Sequence, residues 1–462
     1  MSCVTVARRT VSAAPGAIRS SHSNELIRCR LLCLYVPVTH CFAVSTNVVY
    51  SRTMLPSVPS HIKLRLGVMM FVNYVVWGAW YVTITNYLTT ALHFTGTQAG
   101  AVFGTASLAS IISPFFIGLV ADRYFATEKV MAVLYTLCAL LMYLMTRATT
   151  FPEVYGIMLL FCLCYFPNVA LTNTLAFQLV KDPGREFPAI RLMGTLGWIF
   201  ITVIVSFMQW EGTTGQFWVA LVASLVMVLI SLGLLPHTPP KGKGTKFNAR
   251  TALGLDALVM LKNKAFFFFA IASVLACIPL TFYFSFTNDY LNEVGVSNAA
   301  GKMSLGQVSE VVMMLLMPLI FRWFSVRAIV ILGLVCWVVR YLLLAFGDPG
   351  SGMWMFYAAI LLHGASYDFF FMTGQLYTDQ EAPPHLRNAA QGFIVFLTYG
   401  VGMLVGSLLS GVAVDYFTHV EAGKVVRDWH SFWLSSSAMA AVILVMIVLT
   451  FRTSAKIKPK EA

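Results

Sequence analysis

Charge is what this chain of 462 residues has least of: 11% of it is Asp, Glu, Lys or Arg, against about 25% in a soluble domain. So few charges cannot cover a water-facing surface, and a soluble protein is excluded. Acidic residues are the scarcer sign, 19 against 31 Lys and Arg, for a net charge of +12. That basic excess does not gather on one module. It falls between apolar runs, which argues against nucleic acid as a partner and reads as membrane topology. The nine cysteines lack metal-ligand or disulfide spacing; Cys162 and Cys164, one residue apart in an apolar run, read as small packing residues. No metal or cofactor is expected. The apolar runs hold no Gly-x-x-x-x-Gly-Lys-Ser/Thr loop, so ATP is not the expected energy source. A polytopic membrane transferase would need clustered His/Asp or acidic metal motifs at one membrane face, and none is seen, so an enzyme is not expected.

What the chain has in abundance is apolar length. It is 58% hydrophobic with a mean hydropathy of +0.77, and a membrane span needs about 20 such residues. Twelve apolar runs follow one another, at 64–90, 97–120, 128–148, 152–179, 189–209, 215–235, 266–291, 303–322, 327–346, 352–377, 388–415 and 430–451. One long polar stretch, His237 to Lys264, carries Pro239, Pro240, Lys241, Lys243 and Lys246 and divides the runs six and six. The expected organisation is a six-helix bundle over 54–236, a linker over 237–264, a second bundle over 265–451 and a tail over 452–462. Residues 1–53 differ in composition, with six of the Lys and Arg and four of the cysteines but no clean apolar core. They are expected to be a disordered extension or a start-site artefact, with initiation at Met54. Lys63, Arg65, Lys181, Arg185, Arg322, Arg387 and the linker lysines fall on one side of the runs, and only Arg147, Lys302, Lys424 and Arg427 on the other. Both termini and the linker are therefore expected in the cytoplasm.

Against this background two acids stand out. Glu310 lies a third of the way into the eighth run and Asp368 inside the tenth. Charge at membrane depth costs at least ~2.5–3.5 kcal/mol, and such residues face a water-filled path, a proton relay or a substrate. A transport path is the first implication, and both carboxyls can be neutralised by protonation. Single titratable acids suit protons better than sodium as the coupling ion.

Several short segments carry a resemblance. Gly118-Leu119-Val120-Ala121-Asp122-Arg123 resembles the loop signature of the major facilitator superfamily. There the glycine permits close helix contact and the Asp and Arg latch neighbouring helices, which implies a conformational latch at Gly118, Asp122 and Arg123. From about residue 64 the chain resembles the nucleoside:proton symporter family of bacterial inner membranes. The segments that carry this are Trp77-Gly78-Ala79-Trp80, Phe187-Pro188-Ala189-Ile190-Arg191, Gln307-Val308-Ser309-Glu310, Tyr367-Asp368-Phe369-Phe370 and Ala390-Gln391-Gly392, in that order and spacing. The resemblance implies an all-α membrane protein of the major facilitator fold, twelve transmembrane helices in two six-helix bundles. It implies nucleoside import by proton symport with alternating access, in the cell inner membrane, by a monomer whose partners are nucleosides, protons and the lipid bilayer. A porter for another hydroxylated solute, such as a sugar, stays open beside it.

Arg191, Thr195 and Trp198 fall at i, i+4 and i+7, one helical stripe. By resemblance the stripe belongs to the substrate site: Arg191 toward substrate or the buried acids, Thr195 toward ribose or base, Trp198 stacking on the base. Gln307 is three residues before Glu310 on the same face, and by resemblance both contact the nucleoside. Asp368 is the stronger proton carrier, with Glu310 taking part. Tyr367 offers a ring and a hydroxyl. His363 stands where the family has an aromatic residue, and can donate to substrate, titrate with the proton cycle or pack as a neutral ring. In the seventh run Thr281 and Phe284 replace the amides of known nucleoside carriers. Trp77, Trp80, Tyr81 and Asn86 are expected along the cavity, and Pro279 is expected to loosen its helix.

Overall fold

The structure is a computed structural model, and it describes residues 60–116, 126–238, 250, 253–422 and 424–453. The first 53 residues, the expected latch at Gly118, Asp122 and Arg123, and the tail from 454 lie outside the described residues.

Apolar sequence of this length satisfies its backbone by winding into helices, and among the described residues twelve appear in the order of the twelve runs. They are α1 (Ser60–Gly78, then Ile84–Thr90), α2 (Gly96–Phe116), α3 (Thr127–Met145), α4 (Phe151–Leu179), α5 (Pro183–Phe207) and α6 (Gly215–Leu229, extended by a π turn over Ile230–Leu234). After a 3-10 helix at Leu255–Lys262 come α7 (Lys264–Glu293), α8 (Ala299–Met303, then Leu305–Trp323), α9 (Val326–Phe346), α10 (Met353–Glu381), α11 (Arg387–Tyr416) and α12 (Trp429–Thr450). A short hairpin, β1 (Thr418–Glu421) with β2 (Lys424–Arg427), joins α11 to α12. Ten of the helices are long and apolar enough among the described residues to cross a membrane; the two that fall short are α1, interrupted after Gly78, and α2, which runs into residues not described.

Helix starts follow the polar residues that precede them. Thr150 and Glu153 form a capping box on α4, Asn263 accepts from the Ala265 N–H at 2.9 Å on α7, and Asp428 accepts from the Ser431 N–H at 3.0 Å on α12. Pro279 does not break α7, which is continuous from Lys264 to Glu293; the Tyr341 hydroxyl donates to the Pro279 carbonyl at 2.6 Å. Among the described residues two spans carry a π segment in the middle, α10 at Asp368–Met372 and α11 at Phe396–Gly402. Such segments cluster at functional sites, and the first begins on the acid singled out by its depth.

α1 packs on α5 and α3 on α6 in one half, α9 on α12 and α8 on α10 in the other. The halves meet along α2 with α11, α5 with the start of α8, and the second piece of α1 with α7. Large apolar side chains such as Leu140, Leu315 and Val442 stay more than half exposed, as a lipid-facing surface requires.

At the end of the molecule away from the linker, two acids tie the halves together in mirror fashion. Asp415, at the end of α11, accepts from the Gly96 and Thr97 N–H groups at 2.6 and 2.8 Å, in the first turn of α2. Glu211, after α5, accepts from the Ala300 N–H at 2.9 Å, in the first turn of α8. It also accepts from Asn288 at 2.8 Å and Asn292 at 2.7 Å, both on α7, and from the Ser206 hydroxyl. Each carboxylate thus caps a helix of the opposite half, where free N–H groups and the helix dipole favour negative charge. Thr85 on α1 donates to the Ser285 carbonyl on α7, and Thr89 to Asp289 at 2.9 Å. At the linker end Gly254 holds a left-handed φ of 68°. A Cβ there would lie 2.2 Å from the Ala389 carbonyl oxygen, so only glycine lets the linker lie on the start of α11.

Candidate functional site

A cavity of about 170 Å³ lies between the two halves, from the middle of the helices toward the linker end. At about 10–15 Å³ of such space per water, it has room for on the order of ten waters. Its walls come from both halves: Trp77 and Tyr81 on α1, Trp198 on α5, Phe284 on α7, Gln307 and Glu310 on α8, His363 and Tyr367 on α10. The rings form a continuous layer. Trp77 meets Trp198 edge-on with centroids 5.2 Å apart, Tyr81 lies 5.7 Å from Trp198 and 6.0 Å from Phe284, and Phe284 meets His363 edge-on at 5.6 Å. Flat aromatic faces beside a carboxyl and an amide suit a solute with a planar, stackable part and a hydroxylated part.

The polar corner is set by how closely α8 and α10 approach. A Cβ on Gly364 would lie 2.4 Å from the Ser309 carbonyl carbon, and the Gly364 N–H donates to the Ser309 hydroxyl at 3.0 Å. Glycine is needed for this contact, which sets Glu310 beside His363, with Oε2 3.7 Å from Nε2. Glu310 is 6% exposed and its Oε1 has no hydrogen-bond partner among the described residues. It lies within electrostatic reach of Asp368 and Arg191. Tyr367 shares a hydroxyl–hydroxyl hydrogen bond with Tyr399 of α11, which also lines the cavity.

Six of the ten expected substrate residues line this space: Trp198, Phe284, Gln307, Glu310, His363 and Tyr367. Arg191, Thr195, Thr281 and Asp368 do not. Arg191 is buried on α5 with its guanidinium 4.3 Å from the Tyr74 ring, and neither terminal nitrogen has a hydrogen-bond partner among the described residues. Thr195 is buried on the same helix. The Thr281 hydroxyl donates to the Cys277 carbonyl at 2.6 Å, and its side chain faces Gly406 of α11, where that glycine makes room. Asp368 is wholly buried in the π segment, and both carboxyl oxygens lack partners among the described residues. Of the residues expected from the first run, Trp77 and Tyr81 reach the cavity, whereas Trp80 packs on Phe161 and Asn86 stays out of the lining.

Sequence reasoning passed over Tyr399, Ser110, Asn173 and Arg340. The first three are polar or aromatic residues of ordinary kind on apolar helices, and nothing in their spacing marks the cavity face. Arg340 did carry a signal, the same one as Glu310: a lone charge inside an apolar run. It is wholly buried on α9.

The fold and this central cavity define a secondary transporter of the major facilitator type, a multi-pass membrane protein whose two halves enclose the solute path. The sequence model of the nucleoside H+ symporter family matches residues 60–456, and the chain belongs to that family. Proton-coupled nucleoside transport is the function that membership carries. The chain is 38% identical to the putative nucleoside transporter YegT of Escherichia coli K12 over 401 residues, 84% of this chain and 94% of that one. It is 30% identical to the xanthosine permease of the same organism, over 85% of this chain and 96% of the relative. A crystal structure of the nucleoside transporter NupG superimposes with a TM-score of 0.78 at 28% identity, over 85% of this chain and all of that one.

Proposed function

We propose that this chain imports nucleosides into the cytoplasm through the central cavity, with Glu310 and Asp368 as the proton-coupling acids. The base stacks among Trp198, Phe284 and the neighbouring rings, while Gln307 and Glu310 take the sugar hydroxyls. The observation that carries this reading is the meeting of an aromatic wall and a buried carboxyl in one cavity between the halves. Asp368 is off the wall and acts on Glu310 through the electrostatic link between the two. Arg191 serves as counter-charge to Glu310 and not as a direct substrate ligand, since it lies outside the lining yet within electrostatic reach. Thr281 and Thr195 act through packing.

The linker end faces the cytoplasm, and so do both termini, because the Lys and Arg excess lies there. The structure is then an inward-facing one, its far end closed by Glu211 and Asp415. The bundles span 54–236 and 265–451, and the protein works as a monomer in the inner membrane. The test is uptake of a radiolabelled nucleoside panel, with sugars as controls, in a transport-deficient strain with and without an uncoupler. Saturable nucleoside accumulation that collapses with the uncoupler supports the reading; uptake of sugars alone, or accumulation indifferent to the uncoupler, overturns it.

A further inference from the structure

Arg340 is a full positive charge in the middle of α9, 0% exposed, in a place where charge is costly. Three contacts hold it. Its Nε–H donates to the Ala359 carbonyl at 2.9 Å, its guanidinium lies 3.5 Å from the centre of the Tyr283 ring, and Nη1 meets His363 Nδ1 at 3.0 Å. An arginine can only donate, so Nδ1 of His363 accepts, and the ring's one proton sits on Nε2. That nitrogen is the one facing Glu310, on a residue that lines the cavity. The groups around the ring are Arg340 from α9, Glu310 from α8, Tyr283 stacked from α7 at 5.7 Å, and Tyr367 on the same helix at 5.5 Å. A second proton on Nδ1 would set two donors and two positive charges face to face at 3.0 Å.

We propose that Arg340 is a positioning residue that locks His363 as the neutral Nε2–H tautomer, making His363 a fixed hydrogen-bond donor in the substrate cavity and not a proton carrier. The donor selects solutes with an acceptor atom at that point, a base carbonyl, a ring nitrogen or a sugar oxygen. The substrate half of the proposal rests on the cavity being the nucleoside site; the tautomer half does not. It also divides the labour in the site: the acids carry the proton, and the imidazole, which has the ordinary pKa for the task, is kept out of the titration by its burial and by its arginine.

The test begins with nitrogen-15 histidine spectra of the full-length protein in lipid nanodiscs, with His363 assigned by difference against His363→Gln. The expected result is an unprotonated Nδ1 and a protonated Nε2, unchanged from about pH 5 to 8, the range in which a free histidine changes charge. Arg340→Met removes the donor that makes Nδ1 an acceptor, and should let the ring proton occupy Nδ1 in part of the population. Arg340→Lys, which keeps a donor, should restore the wild-type spectrum. In uptake assays His363→Leu should raise KM about fivefold, the size of one lost neutral hydrogen bond, and His363→Gln, which retains an N–H, should recover part of that loss. A wild-type His363 that carries its proton on Nδ1, or that titrates between pH 5 and 8, overturns the proposal, and so does an Arg340→Met protein whose Nδ1 stays wholly unprotonated. If Arg340→Met does not fold, the wild-type and Arg340→Lys spectra still decide. Should the spectra come out as expected while no nucleoside is taken up, the transport reading fails and the tautomer lock stands.

Discussion

Removing the Glu211 carboxylate should open the far end of the transporter. Three of its hydrogen bonds cross between the halves, from Asn288, Asn292 and the Ala300 N–H, at 2.7 to 2.9 Å. Hydrogen bonds to a charged group are worth about 1.5–3 kcal/mol each. In an outward-open state water would take over most of that, so about 1 kcal/mol per bond remains as the difference between the two states. Three bonds give roughly 3 kcal/mol, about a hundredfold in the equilibrium constant. A shift of that size carries a population of about 99:1 in favour of the closed far end to about 1:1. The assay is a cysteine at Met403, which lines the cavity and is 5% exposed, labelled in intact cells with a membrane-impermeant thiol reagent. In the Glu211→Ala background labelling from outside should accelerate by at least about tenfold. Glu211→Gln should fall between, because its one amide oxygen can accept on only one side, from Asn288 and Asn292 or from the Ala300 N–H. A correctly inserted Glu211→Ala protein in which the Met403→Cys site labels at the parental rate would refute the reasoning. Asp415→Ala should act in the same direction through α2, and the two together should shift the balance further than either alone.

Asp368→Asn should abolish uphill accumulation while sparing exchange, and Glu310→Gln should weaken both; if both variants concentrate substrate like the parent with unchanged pH dependence, the coupling acids lie elsewhere, with Asp289 the next to test. Gly364→Val should wedge α8 away from α10, where even a Cβ would stand 2.4 Å from Ser309; an overpacking cost of about 1–3 kcal/mol should appear as lower thermal stability in detergent and a raised nucleoside KM, and unchanged values would mean the close approach is not needed. Trp198→Ala should raise KM for nucleosides by roughly tenfold, the value of one aromatic stack at ~1.5 kcal/mol; an equal rise for every solute tested would point to lost packing and not to stacking. A protease tag in the linker near Lys243 should resist external protease in intact cells, and cleavage would reverse the orientation.

Much of this protein is visible in its sequence because the bilayer leaves little choice. Backbone in lipid must close its own hydrogen bonds, so each apolar run of sufficient length becomes a helix, and the twelve runs correspond to α1–α12. Glu310 and Asp368 stood out for a related reason: a charge with no water nearby needs a purpose. Arg340 obeyed the same rule, and a reading confined to acids passed over it. Which face of a helix looks into the cavity was less legible. Lipid and protein interior are both apolar, so Thr281 and Phe284, three residues apart on α7, looked equally placed until the fold set one against Gly406 and the other against the cavity.

By itself, then, the sequence determined the class, the number of spans, the six-and-six division and the depth of the buried charges, since these depend on local apolar length and on the cost of charge in lipid. Tertiary structure alone decided the partnerships. Acids near helix ends, such as Glu211 and Asp415, are inexpensive anywhere along a chain and carry no local signal. They become a tie between the halves only when folding places each beneath the first turn of a helix in the other half. The tautomer of His363 is of the same kind. It depends on an arginine 23 positions away, and no spacing rule joins two residues on different helices; the packing of α9 against α10 does.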